Sequence, residues 1–355
     1  MERILQIISF RKPYQIINFL IYKITHRWKL VKVPYKPPHI TFFPSYNCTL
    51  SCKMCLTHSP VIPDNPYKYK GAPFLTYEMF KDAITRFRTT WSVAFIGNGE
   101  PLLNRDIFKM MDFAFYKMRM PVSLVTNGTL IHIYLKDILN SPLYEISISV
   151  NAYTPEEYHR ITGMPEEVFH RIVSNVSELV KQRNKTRKRM KILISLIIDK
   201  ENYKKIPEMI KFAEELGVDQ IGLYNIMPWF VNGLLPEERS LYAEPEIIEF
   251  INSIPPSNYV DILLPALLEK KENRLCRDAY HSMSIDGNGD VGGCERMLLN
   301  ISQNGKYYEP NVFNNHHFVY LRRLFNSFHL ELPEPCKICY NNSHYSMRLL
   351  RKNGC

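Results

Sequence analysis

Cys48, Cys52 and Cys55 stand in the run Asn47-Cys-Thr-Leu-Ser-Cys-Lys-Met-Cys, directly after an apolar stretch, Ile40 to Phe43, that reads as a buried strand. Thiolates are soft ligands. Three of them on so short a loop converge on one face of an iron-sulfur cube and leave its fourth iron without a protein ligand, open to a cofactor. The competing chemistry is zinc, with His58 as a fourth ligand, but zinc sites usually pair two CxxC-like hooks and no fourth cysteine lies nearby.

A second set of thiols comes late in the chain: Cys276, Cys294 and the hook Cys336-Lys-Ile-Cys339. Between the first two, Asp286-Gly-Asn-Gly289 spells a hairpin turn joining two short strands, which brings Cys276 and Cys294 within reach of each other. Four soft ligands suit an iron-sulfur cluster or zinc, and spacing alone does not choose between them. Of the eight cysteines, only Cys355 is left over.

These residues need a frame to position them. From Ile40 to Asn225, short β-rich runs alternate with amphipathic stretches, the pattern of repeated βα units around a parallel sheet. Strands are expected at Ile40–Phe43, Val93–Ile96, Val122–Thr126, Glu145–Val150, Ile192–Ile198 and Gln220–Tyr224. Helices are expected from Thr76 through Arg88, at Arg105–Lys117, Ile131–Leu139 and Glu166–Gln182, and at Tyr203–Leu216, the last closing at Gly217. Six such units predict an α/β fold, a partial (β/α)6 TIM-like barrel. Ligands of such sheets gather at the C-terminal strand ends, where the first cysteine loop falls. The expected organisation is a basic amphipathic N-terminal segment (1–36), the barrel (37–226), a proline-marked connecting segment (227–275) and a small C-terminal domain with the hairpin and four cysteines (276–355).

Composition narrows the classes. The chain has 355 residues, 45% of them hydrophobic, enough for one large core. Cysteines grouped as metal ligands in a long chain point to a reducing cytoplasm rather than to secretion. The net charge of +10 is concentrated: residues 1–36 hold eight basic residues against Glu2, and Lys181 to Lys191 holds seven with no acid. The rest of the chain is acidic on balance, which argues against a nucleic-acid-binding face. In the N-terminal segment, Ile16, Ile17, Phe19, Leu20, Ile21 and Ile24 alternate with Lys23, Arg27 and Lys29. The two readings are peripheral contact with a membrane surface and a helix packed on the barrel. The apolar stretch is too short to span a bilayer, and no cleavage site follows it.

The first cysteine run resembles the signature of the radical S-adenosylmethionine (SAM) superfamily, whose members leave the open iron for the amino and carboxylate groups of SAM. Other strand ends extend the resemblance. Gly97-Asn98-Gly99-Glu100-Pro101 follows the second strand and is similar to the family's Gly-Gly-Glu-Pro motif, with Asn98 replacing the first glycine. Asn127 ends the third strand; Ser147, Ser149 and Asn151 share one face of the fourth; Ser195 lies in the fifth. By resemblance these contact SAM, and Met54, before the last cysteine, touches its adenine. The later cysteines resemble the SPASM and twitch auxiliary-cluster domains. The fuller SPASM pattern has seven cysteines; four imply one auxiliary 4Fe-4S cluster, closer to twitch.

The resemblance implies reductive cleavage of SAM to a 5′-deoxyadenosyl radical, with an electron donor such as flavodoxin or ferredoxin, and abstraction of a substrate hydrogen. A cluster with four protein ligands is saturated and suits electron transfer, which favours oxidation of a carbohydrate-like alcohol. The alternatives are carbohydrate epimerisation, with Cys355 or Tyr224 as hydrogen donor, and modification of a ribosomal peptide, for which residues 1–36 look too short to form a leader-binding domain. A non-catalytic zinc protein is the remaining class. Glu295 and Arg296, beside Cys294, and Tyr224 and Asn225, at the end of the sixth strand, are the candidates for facing the substrate.

Overall fold

The computed structural model describes residues 10–62, 71–227, 237–294, 304–337 and 339–353. Its spine is one ten-stranded sheet: β1 (His39–Phe42), β2 (Ser92–Phe95), β3 (Val122–Thr126), β4 (Leu143–Asn151), β5 (Lys191–Ile198), β6 (Gln220–Asn225), β7 (Asp261–Leu264), β8 (Ser282–Ile285), β9 (Val291–Gly292) and β10 (Arg348–Leu350). The spatial order is β10-β7-β6-β5-β4-β3-β2-β1-β8-β9. From β7 through β8 every neighbouring pair is parallel, and antiparallel β10 and β9 flank the two ends.

The six expected strands form in order, because each carries β-branched or aromatic residues on the face toward the helices. On β1 and β2, Phe42 and Phe95 pack with Phe80 of the helix Tyr77–Arg86, ring centroids 4.8 to 6.2 Å apart. That helix starts where the Thr76 hydroxyl accepts the Met79 N–H. The helix Ile206–Leu216 ends at Gly217, whose φ of 67° is readily adopted only by glycine. Helix Ile107–Asp112 continues through a π turn at Phe113–Lys117, and the helix Pro155–Thr162 was not legible in the sequence.

Two expectations change. The stretch 227–275 is more than a connector: the helix Pro245–Ser253 lies in it, and β7 adds to the sheet beside β6. The β8–β9 hairpin is not confined to a separate module either, since β8 pairs in parallel with β1 along its whole length and extends the barrel sheet.

The described part of the N-terminal segment, from residue 10, packs on the barrel. Helix Pro13–Thr25 lies against the residues that enter β2 and β3: Gln15 donates to the carbonyls of Thr90 at 3.2 Å and Met118 at 2.9 Å, and Phe19 stacks on Trp91. This is the end opposite the cysteine loop. Among the described residues, no helix is long and apolar enough to cross a membrane.

Candidate functional site

The loop after β1 is folded tightly by its own backbone. The Cys55 N–H donates to the Cys52 carbonyl at 2.9 Å, and the Lys53 N–H donates to the Thr162 carbonyl at 2.7 Å, pinning the loop to the end of helix Pro155–Thr162. The three thiols lie close enough to feel one another. Burial above all, then the neighbouring thiol charges, pushes Cys52 up to about 12; burial likewise raises Cys48. Binding iron must therefore displace protons from buried thiols. Among the described residues, no three His, Cys, Asp or Glu side chains close around a point as a single metal ion would require. A four-iron cube spreads its thiolates over separate irons, so a looser triad fits it.

The turn after β2 meets this loop. Gly99 passes so near it that a Cβ there would lie 2.2 Å from the Asn47 carbonyl oxygen, and the Glu100 N–H donates to that oxygen at 2.7 Å. Thr57 makes a second tie, donating to the Asn98 carbonyl at 2.9 Å while standing 3.4 Å from Cys55 Sγ. Glu100 is fully buried. Its carboxylate accepts the Leu102 N–H at 3.0 Å, the Thr126 hydroxyl at 2.7 Å and the Asn127 N–H at 2.8 Å, while burial still raises its pKa. The Asn127 side-chain amide then points back to Cys48 Sγ at 3.6 Å.

A cavity of about 440 Å³ opens over the strand ends, and Cys48, Cys52, Cys55, Met54, Gly97, Asn98, Gly99, Ser149, Asn151 and Tyr224 line it. Asn151 sits at a register shift between β4 and β5 with a φ of 69°, a bulge that re-aims the strand end at the cavity. Glu100, Pro101 and Asn127 stand behind this wall. Ser147 lies deeper on β4, and Ser195 is the β5 partner of Ser149. Sequence reasoning missed Thr57 and Tyr340, which also line the cavity; the one signal for each was adjacency to a cysteine motif.

The second thiol set is assembled from three stretches. Cys276 is influenced electrostatically by Cys294 and Cys339, and burial raises its pKa well above the usual thiol range. Asn342 staples the pieces: it accepts the Leu275 N–H at 2.8 Å and donates to the Asn273 carbonyl at 2.6 Å and the Cys336 carbonyl at 3.4 Å. Beside Cys294 is a cavity of about 210 Å³ lined by His39, Thr41, Asp278, Ser282, Ser284, Tyr340 and Asn341. Thr41 and Ser284 pair across β1 and β8 on the face away from the helices. Tyr340 lines both cavities. Glu295, Arg296 and Cys355 lie outside the described residues.

The family model of the Radical SAM superfamily matches residues 42–213, which run from the last residue of β1 through the cysteine loop and strands β2 to β5. Residues 42–213 are a radical SAM domain. Similar proteins include a probable GTP 3′,8-cyclase of Metallosphaera sedula, 27% identical over 130 residues. That match covers 37% of this chain and 39% of the cyclase, so the chain spans well under half of that relative. A tungsten-containing aldehyde ferredoxin oxidoreductase cofactor-modifying protein of Pyrococcus furiosus is 24% identical over 270 residues, 71% of this chain and 69% of that protein. Among solved structures, Streptococcus suis SuiB bound to the precursor peptide SuiA superposes with a TM-score of 0.60 at 16% identity, over 87% of this chain and 72% of SuiB. Native anSMEcpe with bound AdoMet gives 0.59 at 17%, over 81% and 84%. The fold is thus shared with SuiB and anSMEcpe over more than four fifths of the chain, beyond the barrel as well as within it. The cofactors of a radical SAM domain are S-adenosylmethionine and a 4Fe-4S cluster, and the thiol triad with its open cavity fits them.

Proposed function

We propose that this radical SAM enzyme oxidises a small, hydroxyl-bearing substrate of carbohydrate-like polarity, with an auxiliary 4Fe-4S cluster as electron acceptor. Cys48, Cys52 and Cys55 would hold the first cluster and Cys276, Cys294, Cys336 and Cys339 the second. The bound cofactors would supply the radical that takes a substrate hydrogen and, at the second cluster, an electron acceptor. Loss of that hydrogen atom, of the hydroxyl proton and of one electron leaves a carbonyl.

The observation that carries this reading is Tyr340. It borders the SAM-side cavity on one side and, on the other, a cavity rich in hydroxyl, imidazole and carboxylate groups that reaches Cys294. A polyol presents the complementary donors and acceptors. His39, whose pKa burial lowers to about 4 so that the ring is neutral near pH 7, and Asp278 are the proton acceptors facing this cavity. Gly97 to Gly99 and Asn151 shape the SAM side, while Glu100 and Asn127 hold that wall from behind.

A second reading, modification of a peptide, is favoured by the fold shared with SuiB, a protein solved with its precursor peptide. Deuterium transfer decides between them. The anaerobically reconstituted protein, given SAM, reductant and a panel of deuterated sugars and amino alcohols, is expected to place deuterium in 5′-deoxyadenosine. Transfer from deuterated peptides and from none of the sugars or alcohols would replace the first reading with the second.

A further inference from the structure

Helix Pro13–Thr25 is apolar on two sides. Its buried face mixes the polar Gln15, Asn18 and Thr25 with the core residue Tyr22, flanked by the half-buried Phe19 and Ile21, and specific hydrogen bonds fix it. Gln15 donates to backbone carbonyls at the entrances of β2 and β3, and Asn18 both donates to the Lys36 carbonyl at 3.1 Å and accepts the Lys36 N–H at 2.9 Å. The outward face carries Ile17, Leu20 and Ile24, exposed by 56%, 52% and 57%, and Trp28 just beyond the helix, exposed by 65%. A surface helix ordinarily turns such a stripe inward. Here the face that packs on the barrel is the other one, with its hydrogen bonds and the Phe19 and Tyr22 rings, and the stripe stays outside.

The charge around the stripe identifies its occupant. Residues 10–36 contain seven lysines and arginines and no acidic residue. Lys23, Arg27, Lys29 and Lys32 are all exposed beside the apolar side chains. We propose that this face is a docking surface for an anionic lipid bilayer. Apolar side chains enter the acyl boundary, Trp28 sits at the headgroup level, and the cations pair with lipid phosphates. A second copy of this chain fits poorly, because two-fold pairing would set the same cations against one another.

The geometry also sets the orientation. The helix packs where the chain enters β2 and β3, whereas the cavity lined by the cysteine loop lies at the opposite strand ends. A docked molecule therefore turns its SAM site away from the bilayer and takes its substrate from the aqueous side. This separates membrane binding from any need for a lipid-linked substrate.

The test is flotation of the full chain, anaerobically reconstituted, with vesicles of equal parts phosphatidylglycerol and phosphatidylcholine, and with phosphatidylcholine alone. The protein is expected to float with the anionic vesicles, and quenching of Trp28 fluorescence by brominated acyl chains, absent in Trp28→Phe, is expected to place that residue at the interface. Ile17→Ser with Ile24→Ser should weaken binding at least about tenfold, because apolar burial drives insertion. Lys23→Ser with Arg27→Ser should weaken it in low salt, with SAM cleavage and circular dichroism unchanged in both variants. Absence of flotation with anionic vesicles, equal flotation by the Ile17→Ser/Ile24→Ser variant, or a dimer that this variant dissociates in place of vesicle binding would each overturn the proposal.

Discussion

The buried carboxylate of Glu100 accepts the backbone N–H of Asn127 at 2.8 Å, so the turn after β2 and the end of β3 are one unit behind the cavity that the cysteine loop lines. Two further donors, the Leu102 N–H and the Thr126 hydroxyl, complete its coordination. Glu100→Gln keeps the size but offers one accepting oxygen and sets an amide NH2 against a donor. Leaving a buried donor unsatisfied costs about 1–3 kcal/mol. Urea unfolding of this variant is expected to show that loss, and SAM affinity should fall with it. Unchanged stability with lost SAM binding would instead mean that Glu100 contacts the cofactor directly.

Iron content separates the two thiol sets. The reconstituted protein is expected to hold about eight irons per chain, and Cys52→Ala or Cys336→Ala about four, since each removes one four-iron cluster. Only Cys52→Ala should abolish deoxyadenosine formation. Cys336→Ala should still cleave SAM while giving no oxidised product. Zinc in place of iron at the second set would remove the proposed electron acceptor.

The sequence made the first site legible because its information is local: Cys48, Cys52 and Cys55 share one loop, and the six barrel strands each carry their own pattern. What it concealed was long-range. Asp261–Leu264 reads as a piece of a proline-rich connector until β6 offers it an edge, and Ser282–Ile285 reads as half of a hairpin until β1 pairs with it. Tyr340 gains meaning only when the barrel and the last cysteines are brought together around it. The helix Pro13–Thr25 shows the same limit in reverse: its amphipathicity was plain, but which face is buried depends on carbonyls more than seventy residues away.

Gly99 gives a steric prediction. A Cβ there would stand 2.2 Å from the Asn47 carbonyl oxygen and 2.6 Å from the Tyr46 carbonyl carbon, both backbone atoms with no side-chain freedom to yield. Gly99→Ala must push the cysteine loop outward, at a cost of about 1–3 kcal/mol, the range for overpacking. Loss of SAM-dependent deoxyadenosine formation at full iron content is expected. Wild-type activity would mean that the loop has slack here.

His39 gives a pH prediction. Its ring stacks on His281 with planes 9° apart, and burial followed by the His281 charge lowers its pKa from 6.5 to about 4. The unfolded chain takes up this proton below about 6.5 while the folded chain refuses it until about 4. Stability therefore falls as pH drops through that window, by no more than about 3 kcal/mol from this group. Urea midpoints measured across the window should fall less steeply for His39→Gln than for the wild type. Parallel slopes would show that other groups carry the acid sensitivity.

Tyr340 lines both cavities, and its neighbour Cys339 is one of the four thiols of the proposed second cluster site. Tyr340→Phe keeps the ring and removes the hydroxyl; Tyr340→Ala removes the ring from the walls of both cavities. If the ring positions the substrate between hydrogen abstraction and oxidation, the alanine variant should still cleave SAM but lose product on the order of ten- to a hundredfold, the usual cost of a misplaced reactant. The phenylalanine variant should then retain most turnover. If both variants lose product equally, the hydroxyl itself contacts the substrate. If neither does, the hydroxyl-lined cavity is not on the reaction path, and the substrate lies wholly on the SAM side. Measuring deoxyadenosine and oxidised product together in each variant distinguishes these outcomes.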